Sequence, residues 1–135
     1  MEIEVKENSV FVENGASYSN HNDFFYDMDL ISGKFPHLTF YCTADPKTSN
    51  SNVVDLSKNN LVYLQNVIKK CKAFIGKGSG PFFLTCTKES KNLPKALFGY
   101  KLKEKGYLWD KDYLVEYYDG DDSLVLDYIS KLNIS

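Results

Sequence analysis

The sequence predicts an α+β domain: an antiparallel or mixed sheet of about five to seven strands carrying two helices. Three observations support this. Short strand-like runs cluster before Ser57 and again after Gly80, instead of alternating one by one with helices. Between the clusters lies one long helical stripe, read as a helix over about 57–75. A second stripe, behind an acidic turn, reads as a short helix over about 123–132. At 135 residues the chain amounts to about one domain, so residues 1–135 are taken as a single globular unit.

The long stripe organises the rest. Leu61, Leu64, Ile68, Cys71 and Ile75 recur at spacings of three and four, and Val67 and Phe74 widen the face. Gln65, Asn66, Lys69, Lys70 and Lys72 lie opposite. Ser57, with Asp55 as competitor, is placed to cap the first turn, and Gly76 to close the last.

Taken in order, Ile3 and Val5 alternate with charges, and Val10 to Val12 continues the run as a hairpin or edge strand. Asn14-Gly15 opens a polar turn. Residues 23–31 alternate, with Phe24, Tyr26, Met28 and Leu30 on one side, and predict a strand. Residues 36–43 alternate likewise, and Ser32-Gly33-Lys34 would join the two as an antiparallel hairpin. A polar loop follows over 44–52. Past the long helix, residues 82–87, 96–103 and 107–118 read as three further strands. The closing helix carries Val125, Tyr128, Ile129 and Leu132 on one face, with aspartates at its start and Lys131 near its end.

Composition narrows the function classes. A 43% hydrophobic chain has enough apolar residues for a core, which argues against disorder. No apolar run reaches the roughly 18 residues of a membrane span, so a cytoplasmic placement is expected. The three cysteines, Cys42, Cys71 and Cys86, form no C-x-x-C pair and read as buried, reduced thiols. All sixteen basic residues are lysine, and the Lys/Asn/Tyr bias suggests an AT-rich coding sequence of bacterial or phage type. Without arginine, bidentate reading of guanine or phosphate is disfavoured.

Charge is segregated along the chain. Residues 1–56 hold nine acids and three lysines, a balance of −6. Residues 57–106 hold eleven lysines and two glutamates, a balance of +9, and the last segment returns to −5. A lysine-face nucleic-acid surface is therefore the third-ranked reading.

Catalytic constellations are scarce. The run Gly76-Lys77-Gly78-Ser79-Gly80 is read as a helix C-cap and turn, because a phosphate cradle needs a strand before the glycines and a helix after. His37 and Cys42 fall on opposite faces of a regular strand, and His21 sits in a polar loop. Paired carboxylates, Asp27 with Asp29 and Asp110 with Asp112, are the candidates for a small enzyme or a ligand- or metal-binding domain, the runner-up reading. No cofactor or metal is expected.

The leading expectation is a non-enzymatic protein-binding inhibitor, of the immunity-protein or phage-antagonist type, aimed at a partner with a basic surface. Its expected contact residues are Trp109, Asp110, Asp112, Tyr117, Tyr118, Asp119, Asp121 and Asp122, where aromatic rings sit among carboxylates. Tyr117 and Tyr118 must point to opposite faces of their strand, so one of them is expected to face outward.

Overall fold

The computed structural model describes residues 4–15, 24–77, 92–99 and 115–134. Six strands lie in these residues: β1 (Ser9–Val12), β2 (Thr39–Cys42), β3 (Val53–Asp55), β4 (Ala73–Gly76), β5 (Lys95–Phe98) and β6 (Val115–Tyr118). Three helices accompany them: α1 (Met28–Lys34), α2 (Leu61–Ile68) and α3 (Asp122–Leu132). The strands form one sheet in the order β3-β2-β1-β4-β5-β6, and every pairing is parallel.

The expected antiparallel or mixed sheet is thus overturned. The expected hairpin between residues 23–31 and 36–43 is replaced, among the described residues, by a crossover through α1. Asp27 caps that helix, its carboxylate accepting from the Leu30 N–H at 3.1 Å. Met28, Ile31 and Ser32 then share the buried face, spaced three and four apart. The alternation of Phe24, Tyr26 and Met28 runs into the start of this helix instead of continuing as a strand.

The single long helix is also corrected. Asn60, not Ser57 or Asp55, caps α2 by accepting from the Tyr63 N–H at 2.9 Å. The helix ends at Ile68, and tight turns follow, with Lys70 N–H donating to Val67 and Cys71 N–H to Ile68. The Lys72 N–H then donates to Ser9 at 2.8 Å and starts the ladder of β4. Phe74, Ile75 and Gly76 therefore belong to a strand. Residues 82–87 lie outside the described residues. The expected strands over 96–103 and 107–118 survive as β5 and β6 where the chain is described.

Strand parity splits the core in two. Val10, Val12, Phe40, Cys42, Ala73, Ile75, Ala96 and Phe98 face α1 and α3, meeting Met28, Ile31, Val125, Tyr128 and Ile129. Phe11, Tyr41, Phe74, Leu97 and Val115 face α2, meeting Leu64, Val67 and Ile68. The central strands are buried on both faces, which is why β4 is apolar at every position and shows no alternation. Among the described residues, no helix is long and apolar enough to cross a membrane.

The closing helix matches its expected span closely. Asp121 caps it through Ser123 N–H at 2.8 Å, and Asn133 ends it in the left-handed conformation with φ 55°.

Candidate functional site at the carboxyl edge

The strand order reverses direction between β1 and β4. Chain leaving β1 crosses one face through α1 to reach β2, whereas β3 returns to β4 across the other face through α2. Connections that part in this way leave a crevice outside the carboxyl ends of the two strands. The residues that follow these ends are Glu13 and Asn14 after β1, and Lys77 after β4.

Glu13 extends the ladder past β1. Its N–H donates to the Ile75 carbonyl at 2.8 Å, and its carboxylate accepts the Lys77 N–H at 2.7 Å. Both Glu13 and Lys77 are only 1% exposed. A buried carboxylate and a buried ammonium are costly unless compensated, and here the Glu13 carboxylate takes up the Lys77 N–H. The Lys77 ammonium lies 4.5 Å from the centre of the Phe25 ring.

Gly76 has no room for a side chain. A Cβ there would come within 2.6 Å of the Phe74 ring and 2.8 Å of the Glu13 carboxylate. The Gly76 carbonyl accepts the Tyr26 hydroxyl at 2.5 Å. Tyr26 is held edge-on between Phe24 and Phe98, with ring centres 5.0 and 5.9 Å away.

Asn14 ties the ends of β1 and β2 together. Its carbonyl accepts Ala44 N–H at 2.9 Å, and its amide donates to Ala44 O at 3.2 Å. Beside it opens a cleft of about 250 Å³, lined by Asn14, Phe25, Asp27, Asp29, Asp45 and Lys47 among others. A larger cleft of about 670 Å³ lies at the opposite edge of the sheet, against Glu7, Asn8, Lys72 and Pro94. Parallel sheets place their ligands at carboxyl ends; of the buried charged side chains among the described residues, Glu13 and Lys77 lie there and Lys95 at the amino end of β5, and the smaller cleft is the better site on the sheet rule.

The sequence-predicted residues scatter. Asp27 and Asp29 both reach the cleft, not as one strand face but as the cap and first turn of α1. Trp109, Asp110 and Asp112 lie outside the described residues, as do His21 and Cys86. Tyr117 and Tyr118 sit on β6, an edge of the sheet among the described residues, and both are half-buried. Tyr118 stacks on Phe98 and donates to Glu116 at 2.9 Å; burial, that bond and the nearby carboxylates push its hydroxyl up to about 12. Tyr117 lies on the α2 side.

In the acidic turn, the bonds from Ser123 hold the Asp121 carboxyl below its usual range. Burial and the neighbouring Asp27 charge raise that of Asp122. Asp119 follows β6 in the exposed turn. His37 and Cys42 do not meet as a dyad: Cys42 is buried, and the His37 ring lies 3.2 Å from the Ile134 carbonyl. Among the described residues, no group of three or more His, Cys, Asp or Glu is placed to hold a metal ion.

Glu13, Phe25, Tyr26 and Lys77 were not legible as site residues. The signal was the glycine run, discounted as a helix cap because a helix was expected before it. It begins instead at the carboxyl end of β4, so the strand that a phosphate cradle requires is present. Residues 78–80 of that run lie outside the described residues. No protein-family model and no curated protein matches the chain.

Proposed function

We propose that the chain binds a small organic ligand of the nucleotide type at the carboxyl edge of its sheet. The strand order 3-2-1-4-5-6, reversing between β1 and β4, carries this reading. Open parallel sheets of this order bind nucleotides at that reversal, and the argument is one of fold joined to site chemistry. The buried Glu13–Lys77 corner and the adjoining cleft support it locally. The reading favours the ligand-binding class over a metal site.

The test is a ¹⁵N-resolved titration with ADP, UDP and NADH. Amide shifts should cluster at Glu13, Asn14, Gly76 and Lys77. Shifts confined to the amino edge of the sheet, or none at millimolar ligand, would overturn the proposal.

A second reading, the protein-binding inhibitor acting in the cytoplasm on a basic partner, draws support from β6. Half-buried Tyr117 and Tyr118 on that edge strand adjoin exposed Glu116, Asp119 and Asp121. Aromatic anchors with a charged rim suit a protein interface. Affinity capture from the native host, repeated after Asp119→Lys, separates the two: this reading requires a basic protein that the variant binds more slowly at low salt.

A further inference from the structure

We infer that the cleft beside Phe25 takes the base and ribose of the ligand rather than its phosphates; this rests on the ligand-binding reading above. Phe25 lines the cleft and is 68% exposed, and the buried Lys77 ammonium, 4.5 Å from the centre of its ring, favours this placement of the ring. An aromatic ring facing solvent is a stacking platform, and every nucleobase offers it a π-face.

The charges of the lining exclude phosphate. Asp27, Asp29 and Asp45 outnumber Lys47, so a phosphate entering here meets a net negative wall. The same carboxylates suit sugar hydroxyls, which donate. Each commits one oxygen within the protein: Asp27 to Leu30 N–H, Asp29 to the Thr48 hydroxyl at 2.7 Å, Asp45 to Lys47 N–H at 2.9 Å. The other oxygen of each is left to accept from a ribose diol.

Size agrees with charge. A volume of 250 Å³ falls just under the roughly 300–1,000 Å³ of sites that enclose drug-sized ligands. It suits a nucleoside and is too small for a dinucleotide. The phosphates of a nucleotide would then extend away from the aspartates, towards Gly76 and Lys77.

The experiment titrates adenosine, uridine and their monophosphates into the full ¹⁵N-labelled chain and into two variants, with thermal melts as a folding control. At least one nucleoside should move the amides of Phe25, Asp29 and Asp45. Phe25→Ala should weaken that binding at least about fivefold, whereas Phe25→Tyr should hold it within about twofold. If Phe25→Ala binds nucleoside and monophosphate as the parent does, this inference falls and the ligand-binding reading stands. If neither nucleosides nor monophosphates bind the parent chain while ADP or UDP does, this inference falls alone; if none of these binds, both fall together.

Discussion

The hydroxyl of Tyr26, just ahead of α1, donates to the carbonyl of Gly76, the last residue of β4, and so joins the two sides of the strand-order reversal. The bond is buried, and Phe24 and Phe98 orient the ring that makes it. Tyr26→Phe keeps the packing and leaves the Gly76 carbonyl without its donor. The expected cost is about 1–3 kcal/mol in a urea melt. A change below about 0.5 kcal/mol would mean that water replaces the hydroxyl.

Gly76→Ala tests the crowding at the same point. With a Cβ driven against the Phe74 ring and the Glu13 carboxylate, either the ring or the β1–β4 ladder must shift. Destabilisation of about 1–3 kcal/mol is expected, and ligand binding at the carboxyl edge should weaken with it. Unchanged stability would show that the corner is looser than described.

The thiols should be inert in the folded chain. Burial pushes the Cys71 thiol up to about 12 and the Cys42 thiol higher still, so neither supplies thiolate near neutral pH. Mass-resolved alkylation at pH 8 should modify both slowly in the native state and fully in denaturant. Rapid native modification of Cys42 would contradict its position inside the sheet.

The acidic turn carries two opposing titrations. Asp121, with its carboxyl lowered, contributes stability above the ordinary carboxylate range and loses it as pH falls through the folded value. Asp122, with its carboxyl raised, works the other way: its burden at neutral pH is relieved by protonation just above that range. Asp122→Asn should therefore make the acid loss of stability steeper, as read from urea melts at pH 7 and 4.5. An identical pH profile would remove Asp122 from the account. Because Asp121 is also the cap of α3, reversing Asp119, Asp121 and Asp122 together to lysine should lower the melting temperature as well as slow any partner.

Legibility followed burial. The closing helix, half-exposed and capped by Asp121, showed both its periodicity and its boundary signals, and β2 showed its alternation. The Leu61-to-Ile75 stripe misled because the turn after α2 supplies Cys71, and β4, apolar on both faces, supplies Ile75, at helical spacing by coincidence. Asp27 could have been read as a cap, but the Phe24-Tyr26-Met28 alternation competed with it. Strand direction was the larger miss. Whether neighbouring strands join by a turn or by a crossover depends on tertiary packing, and short apolar runs do not record it. The site was hidden for the same reason: Glu13 and Lys77 meet only once β1 and β4 lie side by side.

An all-parallel sheet also sets the order in which this chain can be assembled. None of the described strands can zip against its neighbour through a tight turn, since parallel neighbours such as β2 and β3 must be joined by a crossover. The central strand waits longest, because Val10 finds its second neighbour only when Ala73 arrives. During synthesis from the amino terminus, the first three strands therefore stand as a half-sheet with one flank of β1 unpaired. Folding should be slow for a chain of this length, since non-local closure precedes most of its reward. A truncation ending before Ala73 should bind a hydrophobic dye and aggregate, whereas one behaving as a well-packed monomer would show the half-sheet to be self-sufficient.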